Sequence, residues 1–199
     1  YWEDGNYILL RSMSDEKFAN QQGWTISELE AHVNRVNALL KTERNHRTPP
    51  GLDDKCLTSW NAILLKGCVD AYFAFGDDYF LHLALKNARW IKNTQRRSDG
   101  TLKRTYKNGK SSIDGFLEDY AHAIAAFISL YQATFDSEWL HLAQEWTDFT
   151  LENFQDPTSK MFYFTSKDST LIARKMELND NVIPASNSVM ASNLYLLGT

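Results

Sequence analysis

Apolar residues recur along the chain with helical spacing, and they do so twice in the same order. Leu57, Trp60, Asn61, Leu64, Leu65, Cys68, Val69, Tyr72 and Phe73 follow an i, i+3, i+4 rhythm, which predicts an amphipathic helix with these residues on one face. Gly76-Asp77-Asp78 reads as a turn. A return helix follows from about Tyr79 to Asn93, with Phe80, Leu83, Ala84, Ala88 and Ile91 facing inward. Asp99-Gly100 and Asn108-Gly109 then bracket Leu102, Arg104 and Tyr106 in alternation, the signature of a short β-ribbon.

The second copy repeats this order. Leu117, Tyr120, Ala121, Ile124, Ile128 and Tyr131 make a helix face. Phe135-Asp136-Ser137 is the turn, and Trp139, Leu142, Ala143, Trp146 and Phe149 make the return helix. Met161 to Thr165 reads as another short strand. The tetrapeptide Leu81-His82-Leu83-Ala84 recurs as Leu140-His141-Leu142-Ala143, and Tyr72 has its counterpart in Tyr131. A third copy begins near Ser186-Asn187-Ser188 and includes Tyr195. A repeat of about sixty residues is longer than the common superhelical repeats of roughly 34 to 47. It suits a closed ring of helical hairpins, one helix of each pair lining the ring and the other outside it; an open helical stack is the alternative. Upstream, Thr25 and Glu28 have capping-box spacing and Trp24 with Leu29 staple spacing. They open a helix carrying Leu29, Val33, Val36 and Leu40 as far as about Arg44, before Thr48-Pro49-Pro50-Gly51 makes a loop. Tyr1 to Asn20 shows no clear period.

Composition changes this picture little. The 199 residues can bury a sizeable core, with 43% hydrophobic and 23% charged residues. Six Trp, nine Tyr and eleven Phe either stack on sugars in a cleft or fill the helical core. The net charge of −4, without a basic stripe, argues against nucleic acid, and no apolar run is long enough to span a membrane. The chain opens at Tyr1 without Met and ends just after an apolar run, so both ends are expected to be cut. A cut third repeat predicts little activity for this stretch alone and a tendency to dimerise or aggregate. Cys56 and Cys68, if on one helix, stand roughly 18 Å apart, too far for a disulfide. They read as buried thiols, in a reducing compartment or indifferent to redox, and a cytoplasmic location is expected. Neither CxxC nor zinc spacing is present, and no metal or cofactor is expected.

Asp53-Asp54-Lys55-Cys56-Leu57-Thr58-Ser59-Trp60-Asn61 resembles the DDK-x-LTSWN signature of the YyaL-type, spermatogenesis-associated family of thioredoxin-domain-containing proteins. Asp99-Gly100-Thr101-Leu102, Phe116-Leu117-Glu118-Asp119-Tyr120-Ala121, Leu130-Tyr131-Gln132-Ala133-Thr134-Phe135-Asp136 and Pro184-Ala185-Ser186-Asn187-Ser188-Val189 also match, so the likeness runs from about Glu3 to Leu197. The resemblance implies an all-α fold that is part of an (α/α)6 toroid, similar to six-hairpin glycosidases and N-acylglucosamine 2-epimerases, with short β-ribbons between hairpins. Residues 1–199 would belong to one toroid domain, with repeats near 54–110, 115–180 and 183–199. The thioredoxin-like domain that the family places first is not matched, so no redox role carries over; it would be an attached partner in the complete protein.

If the inner helices share a direction, their N-terminal ends gather on one rim. That rim would hold Asp53, Asp54, Lys55, Trp60 and Asn61 from the first copy. Glu118, Asp119, Tyr120 and His122 come from the second, and Asn187 and Ser188 from the third. Asp54, Asp119, Glu118 and His122 are the candidate catalytic groups; Asp53, Trp60, Asn61, Tyr120 and Asn187 are candidates for binding a sugar or other small polar ligand. Glycoside hydrolysis needs two carboxyl groups across the scissile bond, and epimerisation a proton acceptor beside a carbonyl. Each residue also has a plain structural role open to it. Asp54 and Asp119 suit a helix N-terminus, and Asp53 and Asp54 suit an ion network with Lys55, Arg44 and Arg47. His122, Trp60 and Tyr120 suit a core, and Asn187 suits a cap. His82 and His141 read as scaffold. Three roles therefore stand: a hydrolase- or epimerase-like domain, a non-catalytic binding module serving the redox domain, or a structural module.

Overall fold

In the computed structural model, residues 5, 10–169 and 173–199 are described. They fall into two compact units, residues 1–53 and 54–199.

The first unit holds α1 (Asp15–Gln22) and α2 (Ile26–Asn45). Helix α1 was not expected; it is eight residues long, starts on the Ser14 cap and stops at Gly23 in the left-handed conformation. The expected capping box of α2 forms, with the Thr25 N–H donating to Glu28 at 2.8 Å and the Glu28 N–H to Thr25 Oγ1 at 3.2 Å. Only Leu29 of its apolar row is buried; Val33, Val36 and Leu40 are exposed.

The second unit contains the repeated hairpins. β1 (Cys56–Leu57) leads into α3 (Thr58–Phe75), which turns into α4 (Asp78–Trp90) and a π-helical turn, Ile91–Gln95. β2 (Lys103–Lys107) and β3 (Lys110–Asp114) form the predicted ribbon, turning at Asn108-Gly109 with φ of 52° and 76°. β1 adds to it, giving the antiparallel order β1-β2-β3 with Leu57 opposite Thr105 and Thr105 opposite Ser112. α5 (Leu117–Thr134), α6 (Ser137–Asn153) and α7 (Ser186–Gly198) follow.

The two hairpins match down to their punctuation. Gly76 and Phe135 both end their helices in the left-handed conformation. Asp77 and Asp136 both cap the return helix, accepting from the N–H of Tyr79 and Glu138. α5 is buried along most of its length, packed against α3, α6 and α7. Trp146, Tyr120, Phe127 and Phe154 are fully buried, so these large aromatics serve the core.

Three expectations need correction. Met161–Thr165 is not a strand; it makes a single bridge, Phe162 to Gln155, because the Asn187 side chain takes both backbone groups of Phe162. Trp60, Leu64 and Phe73 do not join the buried face of α3; they are 64%, 54% and 57% exposed. That helix is apolar over most of its circumference, and the face chosen by its neighbours is Thr58, Ser59, Ala62, Leu65, Cys68 and Val69. The cysteines are both free, as expected, but Cys56 lies in β1 and is exposed, whereas Cys68 is buried, which pushes its thiol up.

Candidate functional site

Helices α3, α5 and α7 line a groove of about 710 Å³, with α4 and α6 absent from its wall. The β-ribbon sits where α3 and α5 begin. Thr58, the first residue of α3, donates to the Lys103 carbonyl at 2.6 Å and accepts from Gln95 Nε2 at 2.7 Å. Ser111 of β3 donates to Gln95 Oε1 at 2.6 Å. The fully buried Gln95 thus ties the π-helical turn, the ribbon and α3 together.

Asp119 is the centre of this end. It is fully buried in the third position of α5. Oδ2 accepts from the Phe116 N–H at 2.9 Å and from Arg104 Nη1 at 3.0 Å. Oδ1 accepts from the Ser59 N–H at 3.0 Å. One carboxylate therefore caps its own helix and, across sixty residues, the preceding inner helix, which has no side-chain cap of its own. Burial pushes the Asp119 carboxyl up to about 6, against the pull of Arg104 and the two N–H donors. Near neutral pH it is ionised and the pair with Arg104 is complete.

Arg104 projects from β2 over the Phe116 ring, 4.8 Å from its centroid, and the same Nη1 reaches Glu118 at 3.2 Å. Glu118 is nearly buried on the first turn of α5. One turn on, His122 is 6% exposed and lines the groove, and its Nε2 has no hydrogen-bond partner. Burial lowers the proton affinity of this imidazole, while Glu118 and Glu177 pull it back up. Beside it, Asn193 of α7 donates to the Ala121 carbonyl at 2.8 Å, clamping α7 to α5.

The remaining candidates are placed as follows. Asp54 is exposed and pairs with Lys107 at the ribbon turn, 2.5 Å away, which holds its carboxyl below the usual range. Tyr120 is buried, its phenol accepting from the Leu102 N–H at 2.9 Å, and burial pushes the phenol up. Gly115 is required beside it: a Cβ there would stand 2.9 Å from the Leu102 carbonyl and 3.0 Å from the Tyr120 ring. Asn61 donates to the Leu57 carbonyl at 2.8 Å. Asn187 accepts from the Phe162 N–H at 2.8 Å and donates to the Phe162 and Glu177 carbonyls, each at 2.9 Å. Trp60 is exposed, and Asp53 ends the first unit. Glu118 and Asp119 thus share Arg104, Tyr120 binds just ahead of β2 at Leu102, and Asp54 pairs separately at the ribbon turn through Lys107; His122 lies one helical turn beyond Glu118 on the groove wall. Sequence reasoning missed Arg104, Gln95, Glu177 and Asn193. For Arg104 a signal existed, an arginine in the ribbon ahead of the acidic pair Glu118-Asp119. Among the described residues no group of His, Cys, Asp and Glu is arranged to hold a metal ion, and no helix is long and apolar enough to cross a membrane.

The model of the β-L-arabinofuranosidase GH127 catalytic domain family matches residues 33–181. Spermatogenesis-associated protein 20 of rat is 31% identical over 204 residues, covering 97% of this chain and 26% of that protein; the mouse protein is 29% identical over the same shares. The chain spans about a quarter of the length of these curated relatives. Among solved structures, the cellobiose 2-epimerase of Spirochaeta thermophila superposes with a TM-score of 0.58 at 17% identity, over 72% of this chain and 38% of that one. A family 76 glycoside hydrolase (mannosidase) of Bacteroides thetaiotaomicron gives 0.58 at 16% identity, over 75% and 40%. The fold is that of the (α/α)6 toroids, and an open helical stack is set aside.

Proposed function

Since the chain belongs to the β-L-arabinofuranosidase GH127 catalytic-domain family, we propose that it supplies part of a carbohydrate-processing site at the ribbon end of the groove. Glu118 and His122 are the reactive groups in this reading. Asp119 and Arg104 position them, and Asp54 meets the ligand from the exposed edge. The observation that carries it is His122, an unpartnered and nearly buried imidazole on a groove wall, with the carboxyl groups of Glu118 and Glu177 near enough to shift it. Unpaired buried polar groups of this kind call for a functional explanation. Two carboxyl groups and an imidazole are the parts of either a glycoside hydrolase or an epimerase that moves a proton beside a carbonyl. Tyr120, Asn61 and Asn187 support the wall from behind, because their polar atoms are used by the backbone. Asp53 and Trp60 have no role in this reading.

The test is turnover by the intact protein of β-L-arabinofuranosides, mannosides and cellobiose, the sugars named for the family and its structural neighbours. The expected result is turnover that is lost in His122→Gln and Glu118→Gln with little change in melting temperature. A binding-only module beside an attached thioredoxin-like domain is favoured by one observation, that Asp54 and Asp119 are both engaged in ion pairs. Saturable sugar binding without turnover would select it. The free thiols of Cys56 and Cys68 fit a reducing compartment, and a cytoplasmic location is part of the proposal.

A further inference from the structure

We propose that Arg104 is the positioning residue of the Glu118–His122 pair: anchored on buried Asp119, it fixes the Glu118 carboxyl one helical turn from His122 and ties that pair to the β-ribbon. The inference rests on the reading of Glu118 and His122 as the reactive groups.

The geometry is a fork. Arg104 Nη1 is shared between Asp119 at 3.0 Å and Glu118 at 3.2 Å. Asp119 cannot move, because the N–H groups of Ser59 and Phe116 hold its two oxygens. Phe116 lies under the guanidinium, so Arg104 is seated on a charge and a ring that are both part of the scaffold. The mobile member is therefore Glu118. Its side chain is held by the guanidinium at a point that the helix places four residues before His122, with the two Cβ atoms about 5–6 Å apart on one face.

The consequence is electrostatic. The groups facing His122 are Glu118 from its own helix, Glu177 from the segment before α7, and the Lys66–Asp70 pair of α3, which lines the same groove and is closed on itself at 2.9 Å. Arg104 is the cation tied directly to one of the two carboxyl groups that bear on His122. With Arg104 in place, part of the field of Glu118 is neutralised before it reaches the imidazole. Without Arg104, Glu118 faces His122 alone and the imidazole binds its proton more tightly.

The experiment needs no substrate, so its failure is distinct from failure of the sugar-processing reading. The exchange of the imidazole C2–H for deuterium, followed by mass spectrometry across pH in the intact protein, gives the titration midpoint of each histidine. His32, His46, His82 and His141 serve as internal controls. Arg104→Gln is expected to raise the His122 midpoint by ~0.5 unit or more and leave the controls in place, while Arg104→Lys restores most of the wild-type value. Glu118→Gln is expected to lower the midpoint, and in that background Arg104→Gln should produce less than half its former shift. A role confined to stability predicts a lower melting temperature with the His122 midpoint unmoved, and that result overturns the proposal. Should Arg104→Gln fail to fold, Glu118→Gln decides alone: an unchanged His122 midpoint overturns the coupling.

Discussion

Replacing Asp119 by alanine separates a structural carboxylate from a chemical one. The substitution leaves the N–H groups of Ser59 and Phe116 without their acceptor and Nη1 of Arg104 with Glu118 alone. Each buried N–H left without a partner costs about 1–3 kcal/mol, and the lost bond to a charged group about 1.5–3 kcal/mol. Against this stands the cost of burying the charge. Burial outweighs Arg104 and the two N–H donors in setting the carboxyl at about 6, and relief from that desolvation in the alanine variant puts the loss at the low end of the summed bonds. The balance is a loss of about 3 kcal/mol near pH 7.5, or about 6–12 °C in Tm for a domain of this size. Thermal melts followed by circular dichroism, with Asp54→Ala alongside, provide the comparison. Asp54 is exposed, and its replacement should leave the melt unchanged. If Asp119→Ala melts within a degree or two of wild type, the double cap contributes nothing, and the carboxylate must be explained by chemistry.

Two further outcomes follow from the same contacts. His122→Gln should flatten the acid side of the stability profile. The folded protein holds the imidazole neutral, with its pKa lowered by burial. The unfolded chain binds the proton first as pH falls, so wild type loses stability on acidification through the folded pKa and the variant does not; equal slopes in urea titrations at successive pH values would contradict this. Asn187→Asp should destabilise by about 2–3 kcal/mol, more than Asn187→Ala, because an acceptor would then face the Phe162 and Glu177 carbonyls; parallel melts in which the aspartate variant is the more stable would refute the assignment.

The repeated hairpins were legible because their determinants are local. Gly76 and Asp77, and Phe135 and Asp136, sit within a few residues of the helices they end and begin. What a residue touches across the fold was less so. The 3.6-residue period of α3 identifies a helix, but with Trp60, Leu64 and Phe73 added to a buried row it cannot say which apolar residues meet α5. Asp119 was visible as an acidic residue in a first turn, yet its bond to Ser59 comes from the neighbouring hairpin. Met161–Thr165 has strand-like composition, and only the amide of Asn187, 25 residues away, explains why Phe162 needs no strand partner. The capping box of α2 was read correctly from Thr25 and Glu28, whereas α1, with one buried residue, offered no period to detect.

The cap on α3 also bears on how the chain is made. Ser59 leaves the ribosome sixty residues before the carboxylate that will satisfy it. At roughly 5–20 residues per second, the start of α3 waits several seconds for its partner. During that interval the first hairpin has its own turn and its own return helix but an unfinished beginning. The smallest piece of this protein that can close on itself during synthesis is therefore two hairpins and the ribbon between them, and a released fragment ending at Asn93, which lacks Asp119, should remain sensitive to proteases at Thr58 and Ser59.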